Sequence, residues 1–163
     1  TPNKDLGGGA IFELSHEIDL ALHFAGPAKN VLAQISRSGY ATSEVEDVAN
    51  IVVHHVGGPL STIHINLLER PIRRGFTIVG SAATVQVDLV SGAAIFESDD
   101  ESRDWHLPSG FQRDDLFRSQ LMHFEACVNQ REVSNVSIES ATEVVRVCCA
   151  AHQVCSSDGG TEG

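Results

Sequence analysis

Positive charge is scarce in this chain. Eleven lysines and arginines face 22 aspartates and glutamates, a formal net charge of −11 over 163 residues. That balance excludes a broad nucleic-acid footprint, which needs a basic stripe to neutralise phosphates. It also disfavours docking on anionic membranes. Long apolar runs are missing: no stretch approaches the roughly 18–20 residues that span a bilayer, and no secretory leader pattern is present. Cysteine is sparse. Cys127, Cys148, Cys149 and Cys155 form no C-x-x-C pair, so neither a disulfide framework nor a cysteine zinc site is expected. The thiols read as reduced, and the location as cytoplasmic.

What is present is an ordinary globular composition, 42% hydrophobic and 20% charged, long enough for one sizeable core. The chain begins with Thr1 and reads as a piece of a longer protein whose missing part lies upstream. After Gly7-Gly8-Gly9 comes a short apolar stretch, Ala10 to Leu14. Ser15 is a suitable N-cap for a helix to about Ala25. Ile18, Leu22 and Ala25 recur at helical spacing, Glu17 and Asp19 suit the positive helix end, and Gly26-Pro27 ends it.

The middle reads as strands. Val31 to Ser36, Val48 to Val56, Leu60 to Leu68, Gly75 to Val79, Thr84 to Leu89 and Ala93 to Phe96 are β-branched or alternating runs between glycine-containing turns. Short connections imply antiparallel pairing. Residues 97–110 read as an acidic loop. Two helices follow. The first runs from Arg113 to Gln130, with Phe117, Leu121, Phe124 and Val128 on one face. The second runs from Glu139 to Cys155, capped by Ser137 or Ser140, and Ser140/Glu143 has capping-box spacing. Residues 156–163 read as a frayed tail. The expected class is α+β: an open, mostly antiparallel sheet of about six strands with helices on one face. The other face is expected to serve oligomerisation, because Val48, Val52 and Val56 oppose Ala49, Ile51 and Val53 and neither set is polar.

Three motifs occur in order. They are Gly7-Gly8-Gly9 leading into His16-x-x-Asp19; Arg70-Pro71-x-Arg73-Arg74 followed by Ile78-x-Gly80 and Val85-x-Val87-Asp88; and an Asp-rich helix start with Phe124 before a closing capped helix. Together, over residues 5 to 155, they resemble the C-terminal domain of the glucose–fructose oxidoreductase, inositol dehydrogenase and MocA family. The resemblance implies that residues 1–163 are a substrate-binding and oligomerising domain. The N-terminal Rossmann half, which carries the cofactor and a catalytic lysine, is then missing. It implies NAD or NADP in the full-length parent and none bound by this fragment alone. Gly7-Gly8-Gly9 lacks the G-x-G-x-x-G spacing and the preceding strand of a dinucleotide fingerprint.

The implied activity is oxidation or reduction at a hydroxyl or keto carbon of a sugar, sugar derivative or cyclitol. Such a reaction needs a group that takes the hydroxyl proton, and imidazole suits that task because it titrates near neutrality. By resemblance His16 is that group. Glu13 and Asp19 are candidate substrate contacts. Arg70, Arg73 and Arg74 are candidates for binding a carboxylate or phosphate, since guanidinium forks fit such groups. Many family members carry an aspartate four residues before the histidine; here that residue is Phe12, and Glu13 is the nearest acid. His54, His55 and His64 fall on neighbouring expected strands, but no ligand spacing accompanies them, so no metal is expected. The competing function is a non-catalytic binding and dimerisation module that kept the sheet without the redox role.

Overall fold

Alternation in the sequence becomes two antiparallel sheets in the computed structural model, which describes residue 3, residues 6–39 and residues 44–157, with side chains as far as residue 153. The elements in chain order are α1 (Ala10–Glu13), α2 (Ser15–Ala25), β1 (Ala28–Ser36), β2 (Val48–His55), β3 (Leu60–Asn66), β4 (Gly75–Val79), β5 (Ala83–Asp88), β6 (Ala93–Ser98), β7 (Ser102–His106), α3 (Arg113–Val128) and α4 (Ile138–Ser157). Strands β1-β2-β3 form one sheet and β4-β5-β6-β7 the other. The chain divides into two compact units, Thr1–Leu68 with Asn135–Gly163, and Glu69–Ser134.

The core belongs to the first unit. Side chains alternate across a strand, so register assigns each residue to a face. Val31, Ala49, Ile51, Val53, Ile63 and Ile65 are buried on one face. They cluster with Ile11 of α1, Ile18 of α2, and Val147, Cys148 and Ala151 of α4. Ile11, Ile18 and Ile51 are fully buried, each contributing about 1.5–3 kcal/mol of apolar transfer free energy. The opposite face is mixed rather than apolar. Leu32, Gln34, Asn50, Val52, His54, Thr62 and His64 are partners or diagonal neighbours across it, and Asn50 and His64 are hydrogen-bonded there at 2.8 Å.

Two side chains of α4 hold the start of β1. Glu143 accepts the Ala28 N–H at 3.0 Å. Arg146 donates to the Ala28 carbonyl at 2.9 Å and to Glu143 at 2.6 Å. The Arg146 guanidinium is the main reason the Glu143 carboxyl sits below its ordinary value of 4.5. A carboxyl depressed in the folded state stabilises the fold above its unfolded pKa, and that stabilisation is lost as pH falls through the folded pKa. Glu143→Ala is therefore expected to cost about 2 kcal/mol at neutral pH, since it removes a charge-assisted acceptor from a buried N–H. Urea titrations should show the gap between the two proteins closing as pH drops below 4.5. A gap that persists unchanged into strong acid would contradict the assignment.

Helix ends account for several of the differences from expectation. Ser15 is the first residue of α2 and not its cap, because Ala10–Glu13 is already helical and Leu14 is the junction. Gly26 ends α2 at φ 85°, donating its N–H to the Leu22 carbonyl. The capping pair of α4 is Ser137 and Ser140. The Ser140 N–H donates to Ser137 Oγ and the Ser137 N–H to Ser140 Oγ, both at 3.1 Å. Glu143 is engaged at β1 instead. Of the tail expected at 156–163, Ser156 and Ser157 belong to α4 and the rest lies outside the described residues.

In the second unit the acidic segment 97–110 contains a strand, β7, paired with β6 from Ala93↔His106 to Glu97↔Ser102. The β5–β6 turn is closed by Asp88, whose carboxylate accepts from the Val90 N–H, the Ser91 N–H and the Ser91 hydroxyl. The Ser91 hydroxyl is foremost in holding that carboxyl below the usual range. Phe117, Leu121, Phe124 and Val128 do line α3, but all four are more than half exposed.

Candidate functional site around His16

The lead into α2 is built by one buried acid. Gly9 has no side chain to cap α1, so Glu46 meets its first N–H groups from 35 residues away. The Ala10 N–H donates to the Glu46 carbonyl at 3.0 Å, and the Ile11 N–H donates to the Glu46 carboxylate at 3.1 Å. The second carboxylate oxygen of Glu46 lies 3.4 Å from His152 Nε2 on α4. Glu46 is 3% exposed. Gly9 adopts φ 114° and ψ 158°, a combination essentially restricted to glycine. A Cβ there would overlap the Glu46 carboxylate. A buried helix start thus fixes where α2 begins.

His16 is the second residue of α2, and its side chain is 46% exposed. Its Nε2 lies 3.1 Å from Oε1 of Glu17, a more buried carboxylate. Ile18 on the inner side of α2 is completely buried, which fixes the helix rotation and turns His16 outward. Asp19 is exposed one turn further, on nearly the same helix side. Glu13 is exposed at the end of α1. Phe12 packs against the core, with its ring 6.0 Å from that of His152. The position where the resemblance implies an acid is therefore occupied by a partly buried ring packed against the core.

The arginine cluster is in the second unit, whereas Glu13, His16 and Asp19 are in the first. Arg70, Arg73 and Arg74 are all exposed. Arg70 donates to the Glu69 carbonyl at 2.8 Å, and Arg73 lies 3.7 Å from the Glu69 carboxylate. An exposed pair at that distance adds little stability. The Arg70–Pro71 peptide is cis.

The histidines of the strands have structural partners. His55, buried, donates from Nδ1 to the Gly26 carbonyl at 2.6 Å, and its Nε2 pairs with the Ser61 hydroxyl at 2.8 Å. It ties the end of α2 to β2 and β3. His64 pairs with Asn50, and Asn66 donates to His64 Nε2 at 3.1 Å. Among the described residues no group of three or more His, Cys, Asp and Glu side chains is placed to hold a metal ion. Nor is any described helix long and apolar enough to cross a membrane.

A nicotinamide dinucleotide does not fit the glycine-rich lead. A pyrophosphate needs converging N–H groups at a helix start, and at α1 a buried carboxylate already occupies them. Glu17 and Glu46 are the two site residues that sequence reasoning did not single out as such. Glu17 reads equally well as a helix-start acid. Glu46 carries only a weak signal, a pair of acids directly before an apolar strand.

Comparison with known proteins places the fold. No curated protein matches the chain. Among solved structures, levoglucosan dehydrogenase in complex with NADH and levoglucosan is similar at TM-score 0.82 and 14% identity, over 93% of this chain and 49% of that one. UDP-N-acetylglucosamine 3-dehydrogenase from Acidithiobacillus ferrooxidans matches at TM-score 0.79 and 16% identity, over 91% and 47%. An oxidoreductase from Agrobacterium radiobacter, in complex with NAD+, L-tartaric acid and magnesium, matches at 0.74 and 17%, over 87% and 45%. The chain spans less than half the length of each of these three. At such identities they establish a shared fold: open, antiparallel and α+β. The family model described as the GFO/IDH/MocA C-terminal domain matches residues 1–86, more than half of the 163 residues. The chain belongs to the GFO/IDH/MocA C-terminal domain family.

Proposed function

We propose that this chain is the substrate-binding and catalytic C-terminal domain of a nicotinamide-dependent oxidoreductase. Its substrate is a hydroxyl or keto group on a sugar, sugar derivative or cyclitol. The observation that carries the reading is the exposed His16 imidazole at the start of α2, paired with Glu17 at 3.1 Å. The Glu17 carboxylate beside Nε2 favours a proton on that nitrogen, which leaves the lone pair on Nδ1. Nδ1 is then the atom that takes the hydroxyl proton during oxidation or returns it during reduction. Glu13 and Asp19 flank it as acceptors for neighbouring substrate hydroxyls. Arg70, Arg73 and Arg74, in the second unit, are a separate candidate cluster for binding a carboxylate or phosphate. The hydride acceptor is NAD or NADP held by a Rossmann half outside this chain, and the chain alone is inactive. The sugars in the names of similar structures, levoglucosan and UDP-N-acetylglucosamine, favour the substrate class.

The test uses the full-length protein with NAD+ or NADP+ and a panel of free sugars, sugar nucleotides, sugar acids and cyclitols. Reduced nicotinamide should form with at least one class; a flat response across all of them contradicts the proposal. We place the protein in the cytoplasm, with Cys127, Cys148 and Cys149 free thiols, and as a homo-oligomer through the open face of β1–β3, where Leu32 and Leu60 are half exposed or more. Light scattering checks the assembly: a strict monomer refutes it. Phe12, packed against the core at the position where the resemblance implies an acid, favours the second reading, a binding and dimerisation module without redox turnover.

A further inference from the structure

Three side chains at the end of α3 form a relay independent of His16. Cys127 Sγ lies 3.6 Å from His123 Nε2, and His123 Nδ1 lies 2.6 Å from Glu132 Oε2. His123 and Cys127 are four residues apart, so one stacks above the other on the helix. Glu132 is beyond the helix and reaches His123 only because the chain reverses. Gln130 adopts φ 56°, the Gln130 N–H donates to the Cys127 carbonyl at 2.9 Å, and the Arg131 N–H donates to the Ala126 carbonyl at 2.8 Å. Those two bonds are the Schellman closure of a helix. Arg131 then pairs with Glu125 at 3.1 Å, holding the return segment against α3. A left-handed conformation is disfavoured for any residue but glycine, so the reversal stands against local preference.

The roles follow from donor chemistry. Glu132 accepts, so His123 Nδ1–H donates to it, and the Nε2 lone pair faces the thiol. This is the order nucleophile, base, orienting acid. We infer that Cys127 is a covalent modification site for small soft electrophiles, with His123 as its base and Glu132 orienting the imidazole. In the step, the thiol proton passes to His123 Nε2. The sulfur pair forms a bond to the electrophilic carbon, and the leaving group departs with its bonding pair. His123 then returns its proton to water. Cys127 is partly exposed, which gives a small reagent access. Cys148 offers the contrast: it is 1% exposed, and burial pushes its thiol up to about 11. Cys149, exposed on α4, supplies a reference rate within the same molecule.

The experiment is a time course with iodoacetamide at neutral pH on the purified protein, each cysteine followed by peptide mass spectrometry. Cys127 should be alkylated about tenfold faster than Cys149 or more, as thiolate reactivity depends on the adjacent base. His123→Gln should bring Cys127 down to the Cys149 rate. Glu132→Gln, which keeps the imidazole, should slow it several-fold. The Cys149 rate should hold in both variants, reporting an intact fold. A Cys127 rate equal to that of Cys149, or unchanged in either variant, overturns the inference.

Discussion

His16→Ala in the full-length protein is expected to lower kcat by about 10²–10⁴-fold, the usual contribution of a positioned proton-transfer group. The expectation rests on position. The ring is nearly half exposed and its nearest acid is Glu17, while the buried Ile18 beside it fixes the helix rotation. Removing an exposed imidazole leaves no cavity, so the fold should tolerate the change with a stability shift within about 0.5 kcal/mol. The proton moves only in the transition state, so kcat and kcat/KM should fall together. Steady-state kinetics on the substrate found in the panel, alongside a thermal melt, separates this from simple unfolding. Unchanged turnover would remove His16 from the chemistry.

Gly9→Val is expected to destabilise the protein by about 3–5 kcal/mol, combining backbone strain at a glycine-only conformation with a disrupted buried carboxylate. The added side chain enters space that Glu46 fills. Glu46 has little freedom to retreat, being 3% exposed and fastened to the Ile11 N–H. Moving it strips α1 of that acceptor and withdraws the carboxylate from His152. The predicted signature is a lower urea midpoint with an unchanged slope, the mark of a change in stability alone. A wild-type midpoint would show that Glu46 does not sit beneath Gly9.

These two residues also show what was legible in the sequence. His16 stood out because the glycine-rich lead followed by His16-x-x-Asp19 resembles the family's motif. The reason for Gly9 was not, because its partner is far away in the chain and meets it only once β2 is in place. Most strands were legible from period-two alternation with one buried face. β7 was not, since Ser102 to His106 is exposed at every residue and burial imprinted no pattern. As an edge strand it carries Arg103, Asp104 and His106, which suits an edge that must not pair with another chain. Helices α2, α3 and α4 were legible in extent to within a few residues, whereas the four-residue α1 read only as a short apolar stretch. Their caps were less so: Glu143 has the spacing of a capping acid, but the Ala28 amide and Arg146 compete for it and win.

The exposed sheet face shows how far pattern reading reaches. Val48, Val52 and Val56 suggested a second apolar surface, but cross-strand register sets Asn50 and His64 among them. Register depends on turn geometry as well as composition, and a list of β-branched residues does not contain it.

Whether an outward imidazole on α2 carries the substrate proton is tested most directly by chemical rescue. Full-length His16→Ala is assayed, with the substrate found in the panel, at rising concentrations of free imidazole. Turnover that climbs with imidazole, and does not climb in the unmodified protein, is the predicted result. A variant that stays inactive at every concentration while still folded and binding substrate would contradict the account.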